Sequence, residues 1–286
     1  MIKTKITIFF LIACLLINIS CSSAPKNPQD IDVLRSQAEF WLKTANIDAG
    51  QGRFENALSQ LTDAKKNAIL ADDISLIIRS CLSRGNVLYS MGRTDDAFAE
   101  WNRAITEAES YGDSELLSVS RIFLSRGNLL TGRTQAQTVL SDVTRESSNI
   151  KTNKLYIAFS WQVRGLANRA LGNYPEAEKA FKNSLDIHEK EKNMENTSYD
   201  WYMIASVRSL AGNNPSALDA LKASLAIDRR IENSWGLAAT YRAMGDIHKK
   251  TGKQKEALAF YIRAREIFSA MGNDYEVTEI NKRLEN

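Results

Sequence analysis

From about residue 32 onward, apolar positions recur at helical spacing and the helical stretches are cut at regular marks. Ala257, Phe260, Tyr261, Ala264 and Ile267 show the pattern, falling on one face of a helix. The marks are glycines: Gly52, Gly92, Gly132, Gly172, Gly212 and Gly252, each 40 residues from the last. Seven places before each stands a small residue, namely Ala45, Gly85, Ser125, Gly165, Ala205 and Gly245. Five places after stand Ala57, Ala97, Gln137, Ala177, Ala217 and Ala257, and twelve after stand Ala64, Ala104, Thr144, Ser184, Ser224 and Ala264. Eleven before lies a mostly aromatic set: Trp41, Cys81, Arg121, Trp161, Trp201 and Tyr241. A second mark runs in step at Asp73, Asp113, Asn153, Asn193, Asn233 and Asn273. So many registers in phase identify an internal repeat of 40 residues.

Each repeat predicts two antiparallel helices. A glycine tolerates the left-handed backbone that ends a helix and turns the chain. Pro175 and Pro215 fall three residues past their glycines, in a first helical turn where a missing N–H is harmless. The Asp or Asn at the second mark suits a turn or the N-cap of the next helix. The small residues allow close helix approach, and the bulky residue eleven before the glycine is expected to fill the gap above them. The pattern divides the chain into repeats at about 34–73, 74–113, 114–153, 154–193, 194–233 and 234–273, with Tyr275–Leu284 inside a capping helix, 274–286. The third repeat is irregular. Ser125-Arg126-Gly127-Asn128 echoes Ser83-Arg84-Gly85-Asn86 at a spacing of 42, so a shortened or irregular turn is expected near Gly132, with a local change of superhelix geometry.

Trp161 through Ser184, with Gly165, Leu171-Gly172-Asn173-Tyr174-Pro175-Glu176-Ala177 and Phe181, resembles the tetratricopeptide repeat. So does Tyr241 through Ala264, with Gly245, Gly252, Ala257 and Tyr261. The period of 40 is similar to the subclass with longer helices and an Asn/Asp-bearing turn. This resemblance implies an all-α, right-handed α-solenoid of six helical hairpins with a C-terminal capping helix. It also implies a concave groove, lined by the first helices, that receives a protein or peptide. Positions ten and six before the turn glycines would face it: Leu42, Asn46, Leu82, Asn86, Gln162, Leu166, Tyr202, Ser206, Arg242 and Asp246, with Leu124 and Asn128 in the irregular repeat. Asparagines there offer donor and acceptor to an extended backbone. Leu42 and Leu82 stand where the family's clamp for a C-terminal carboxylate carries lysine, which argues against recognition of chaperone tails.

Residues 1–20 have the form of an export signal: Lys3 and Lys5, then an apolar run from Ile6 to Ile17 broken by Thr7. Ile17-Asn18-Ile19-Ser20-Cys21-Ser22-Ser23 resembles the bacterial lipoprotein site, with Cys21 as the lipidated residue and 21–31 as a flexible tether. Leu11-Ile12-Ala13-Cys14 is closer to the motif but leaves an apolar remnant after the cut, so Cys21 is preferred by context. The resemblance implies a membrane lipid anchor and, with Ser22 rather than aspartate after the cysteine, an outer-membrane position facing the periplasm.

Charge narrows the partners. The formal net charge is +3, but beyond residue 21 there are 35 basic residues against 34 acidic, and no basic face that would suit nucleic acid. Cys81 is the one cysteine beyond the leader, so the mature chain has no internal disulfide and Cys81 is read as a small packed hydrophobe. His188 and His248 lack metal-ligand spacing, and no nucleophile or phosphate-binding motif occurs, so no enzyme, metal or cofactor is expected. Both histidines are read as surface or partly packed. Arg84, Arg126 and Arg164 precede repeat-position glycines or fall in register with them. They form either a basic ladder for an acidic partner or, as preferred, packed stems with locally paired heads. The expectation is an envelope scaffold binding another envelope protein or peptide. The alternatives are an assembly factor for an outer-membrane secretion, pilus or transport complex, or a carrier of a small molecule or lipid.

Overall fold

The computed structural model describes residues 28–285; Cys14, Cys21 and the rest of the leader and tether lie outside them. Thirteen helices occur among the described residues, with no strand. They run α1 (Pro28–Gly50), α2 (Phe54–Leu70), α3 (Ile74–Ser90), α4 (Thr94–Tyr111), α5 (Ser114–Leu130), α6 (Ala136–Ser147), α7 (Lys154–Ala170), α8 (Tyr174–Lys190), α9 (Met194–Leu210), α10 (Asn214–Arg230), α11 (Ser234–Lys250), α12 (Gln254–Ala270) and α13 (Asp274–Glu285). Neighbouring helices pack in hairpins and each hairpin stacks on the next, an all-α solenoid. No described helix is long and apolar enough to cross a membrane.

The two kinds of turn carry the chemistry their residues dictate. Gly52, Gly92, Gly132, Gly172, Gly212 and Gly252 all have left-handed φ between +69° and +88°. At the second turn, the side chains of Asp73, Asp113, Asn153, Asn193 and Asn233 accept backbone N–H groups of the helix that follows, capping α3, α5, α7, α9 and α11. Asn273 does the same for Glu276 at 2.9 Å, the first turn of α13. Each cap satisfies donors that a helix start leaves unpaired.

Between these turns, in three of the six hairpins a ring from the second helix sits on the small residue of the first, and buried Leu61 and Leu221 hold that position in the first and fifth. Phe181 lies over Gly165 and Tyr261 over Gly245, so close that a Cβ on either glycine would collide with the ring. Phe181, Tyr261 and Trp101 stand nine places after their turn glycines, and all are buried. The gap-filling role expected eleven places before the glycine therefore belongs to another position. Trp41, Trp161, Trp201 and Tyr241 are only half-buried, and Arg121 takes a partly exposed position against Glu109. Cys81, in the same register, is fully buried, and that burial pushes its thiol pKa upward.

The third repeat differs in a way the sequence only half foretold. Its first turn is longer, not shorter, and α6 has 12 residues where α5 and α7 have 17. Ser141, nine past Gly132, is exposed and brings no ring. Trp101 of the preceding repeat compensates: its indole blocks the Cβ positions of both Gly85 and Gly127. The loop after α6 is held by one carboxylate. Glu115 accepts from Asn153 N at 3.0 Å, Thr152 Oγ1 at 2.9 Å, and more weakly from Thr152 N and Lys151 N. Burial alone would raise its pKa, but these donors outweigh it and hold the pKa below the ordinary value.

The stack turns far enough to meet itself. Phe54, at the start of α2, packs edge-on against Trp235 at the start of α11, with ring centroids 5.7 Å apart. Trp235 in turn packs against Phe268, and the Met271 side chain fills the space over Gly52. The first repeat is thus joined to the last.

Trp101 gives the fold its sharpest test. Gly127→Ala should lower stability by about 1–3 kcal/mol, the usual range for overpacking, and Trp101→Ala by about 3–5 kcal/mol. Urea unfolding followed by circular dichroism measures both. A neutral Gly127→Ala would show that the indole can move aside.

Candidate functional site

Because the solenoid meets itself, its inner helices enclose one cavity of about 610 Å³ to which all six repeats contribute. The α1 and α3 walls supply Asn46, Ala49, Ser83, Asn86 and Val87; α5 supplies Phe123 and Arg126. The α7 wall supplies Tyr156, Phe159 and Gln162, and α9 supplies Glu195, Asn196, Tyr199 and Tyr202. Asn233, Trp235, Ala239 and Arg242 close the circuit, and Phe54 stands at the seam.

Of the twelve residues expected on the groove, Asn46, Asn86, Gln162, Tyr202 and Arg242 line the cavity. Leu42, Leu82 and Leu166 do not: they are 4%, 3% and 3% exposed and pack between helices. Leu124 packs half-buried against the same core. Asn128 is half-buried, its carbonyl receiving Arg133 N in the turn. Ser206 accepts Arg169 Nη1 at 2.9 Å, and Asp246 accepts Tyr261 Oη at 2.8 Å and Arg283 Nε at 3.2 Å. The misplacement has a geometric cause. In the first repeats the C-terminal ends of the inner helices reach the cavity, whereas in the last repeats the N-terminal starts do. A superhelix rises as it turns, so its two ends meet the central space at different heights, and no single offset from the glycine can mark both.

On the cavity wall and just behind it lie two buried polar clusters that sequence reasoning missed. In the first, Asp200, fully buried, accepts from Gln162 Nε2 on one oxygen and from Ser184 Oγ on the other, each at 2.9 Å. His188 Nδ1 lies 2.7 Å from that second oxygen. His188 is thus a buried, carboxylate-paired residue at the cavity, not the surface or partly packed histidine expected. The trio does not form a charge relay, since Ser184 and His188 Nδ1 share one carboxylate oxygen and the hydroxyl does not address Nε2. In the second cluster, Asp228 accepts Asn233 Nδ2 at 2.8 Å and Ser224 Oγ at 3.4 Å, while Ser224 meets Ser198 at 3.0 Å and Thr240 at 3.3 Å. Burial raises the pKa of both Asp200 and Asp228 despite these donors. A signal was available in the repeat itself. His188 and Asp228 occupy the slot that holds Ala68, Ala108 and Phe268 elsewhere, and Asp200 the slot of Ser80, Ser120, Ser160 and Thr240.

The three arginines do not form a ladder. Arg84 pairs with Glu100 at 3.2 Å and donates to Leu58 O and Thr62. Arg164 stacks 4.0 Å over Trp161, where burial lowers its pKa. Only Arg126 faces the cavity, with Asn86 Oδ1 at 3.5 Å. His248 stacks on Phe260 with centroids 5.2 Å apart. Among the described residues no group of His, Cys, Asp and Glu is placed to hold a metal ion.

A raised carboxylate pKa means that the folded chain holds the proton more tightly than the unfolded one. Stability therefore falls as pH climbs from the ordinary Asp range through the raised value. Asp228→Asn keeps the shape and removes the ionisation. It should gain stability relative to the parent on moving from pH about 4 to about 8, starting near the ordinary Asp value of ~3.9. Thermal melts across that range measure the difference; parallel curves for the two proteins would count against a buried Asp228 titration.

The family model described as "Tetratricopeptide repeat" matches residues 156–230 and again 200–270. Among solved structures, the Rap conjugation gene regulator of plasmid pLS20, in complex with the Phr* peptide, is 18% identical; the match covers 90% of this chain and 67% of that one with a TM-score of 0.61. A Rap protein complexed with Competence and Sporulation Factor is 16% identical, over 87% and 74% of the two chains, with a TM-score of 0.58. A thermophilic tetratricopeptide-repeat protein of Thermus thermophilus is 18% identical, over 71% and 98%, with a TM-score of 0.54. Identities this low speak for the fold. No curated protein matches the chain.

Proposed function

We propose that this chain, a tetratricopeptide-repeat protein and so built as a protein-interaction scaffold, is a non-enzymatic lipoprotein of the cell envelope that holds an extended peptide segment of a partner in its central cavity. The observation that carries the reading is the cavity: six repeats converge on a space of about 610 Å³ lined by asparagines and aromatic rings. Such a volume lies within the range of pockets that enclose a small ligand. An α-helix, 10–12 Å across with its side chains, would fill it in about five residues of rise. An extended segment suits it better, because its backbone can use the amide side chains of Asn46, Asn86 and Asn196 as both donors and acceptors. One Rap structure was solved with the Phr* peptide and the other with Competence and Sporulation Factor, in keeping with this use of the fold. Arg126, Glu195 and the Asp228 cluster on the lining speak against a lipid or other apolar cargo.

The envelope location rests on the leader and on Cys21. Lipid chains contribute about 0.8 kcal/mol per buried methylene, and two or more anchor stably. The scaffold would then present its cavity at a membrane surface.

Affinity capture from the organism's own envelope, with the lipidated chain as bait, should recover a partner through the cavity. Asn46→Ala combined with Asn86→Ala should weaken capture at least about tenfold, or ~1.4 kcal/mol. Ala239→Trp, which plugs the cavity, should abolish it. Unchanged capture by both variants would sink the cavity as the binding site. Palmitate labelling should be lost on Cys21→Ala; label retained there but lost on Cys14→Ala would move the anchor to the earlier cysteine.

A further inference from the structure

We propose that the cavity sorts its peptide by charge, taking a segment with a cationic side chain where it passes Glu195 and a carboxylate where it passes Arg126. This rests on the peptide-binding reading above and adds the chemistry of the occupant.

Most charges on the lining are already answered. Arg242 is paired with Glu276 of α13, and His188 with Asp200. Asp228 is held by Asn233 and Ser224. Two charged side chains remain. The Glu195 carboxylate has neither a hydrogen bond nor an ion pair among the described residues, although it lines the cavity. Arg126 has only the amide oxygen of Asn86 at 3.5 Å and no carboxylate. Both charges are open to the cavity, where a ligand's opposite charge can meet them and so select which ligand is held.

Their surroundings point the same way. Glu195 is exposed and lines the cavity, and surrounding protein and then the nearby Asp228 carboxylate raise its pKa. Two carboxyl groups in mutual reach favour a cation between them. Tyr199 lies one turn beyond Glu195 on α9 and feels the positive charge of Arg126. The two free charges, Tyr199 and Phe159 all line the same cavity. An extended peptide held there can offer one side chain to a carboxylate and another to a guanidinium. Arginine favours a carboxylate there because its planar fork can grip both oxygens.

The test uses the full chain in detergent micelles and a randomised pool of peptides of about five residues, a size such a cavity holds. Peptides retained after washing are sequenced by mass spectrometry. The parent chain should enrich peptides carrying both a Lys or Arg and a carboxylate side chain by about tenfold over uncharged ones, or ~1.4 kcal/mol. Glu195→Lys should turn the cationic preference into an acidic one, and Arg126→Glu should turn the acidic preference into a basic one. Glu195→Gln should simply lose the first preference. Circular dichroism and melting identical to the parent would show that each variant folds. Peptides enriched without charge preference, or preferences unmoved by Glu195→Lys, overturn the charge sorting while peptide binding stands. A pool from which nothing is enriched overturns both.

Discussion

The architecture depends on the seat of one aromatic ring on one glycine. Where Phe181 meets Gly165, or Tyr261 meets Gly245, the ring occupies the very space a Cβ would need. The two helices of a hairpin therefore approach as closely as backbone and ring allow, and their crossing has little freedom. With buried Leu61 and Leu221 in the same place in two other repeats, close packing at this position sets the rotation from one repeat to the next. The rotation accumulates until Phe54 reaches Trp235 and the solenoid meets itself. Cavity, cluster and seam are all consequences of that local contact.

The irregular repeat shows how the constraint is kept when its local source is missing. α6 is short and brings no ring to Gly127, so Trp101 spans two glycines from the repeat before. The loop that replaces the missing turn of α6 is gathered on the Glu115 carboxylate by backbone and hydroxyl donors. A packing contact and an electrostatic one together carry the rotation across the weak unit. Without them the two halves would be free to splay, and the seam at Phe54 and Trp235 would be lost.

Closure also explains why buried polar chemistry collects in the later repeats. Asp200 and His188, and beside them Asp228, Ser224 and Thr240, stand in slots that other repeats fill mostly with alanine, serine or phenylalanine, and Gln162 stands in the slot of Leu42 and Leu82. All but Asp200 line the cavity themselves. Satisfied networks of this kind fix a unique arrangement of their helices. Here they stiffen the wall that carries Glu195 and Tyr199, and so set the geometry a ligand would meet.

The sequence by itself determined the helices, their turns and the repeat. These depend on contacts within some 40 residues: a left-handed glycine, an Asx cap and a small residue at a fixed offset. Its resemblance to the tetratricopeptide repeat also implied Asn46, Asn86, Gln162, Tyr202 and Arg242 as groove-facing, and these five line the cavity. It did not determine which turn of each inner helix reaches the centre. Leu42, Leu82 and Leu166 share the offsets of the cavity residues yet are buried between helices. The height at which a repeat meets the axis is set by the summed rise and rotation of all the others. For the same reason only the tertiary structure brought Phe54 to Trp235 and left Arg126 and Glu195 facing one space, whereas the His188–Asp200 pair is local and was marked only by polar residues in otherwise apolar or small slots.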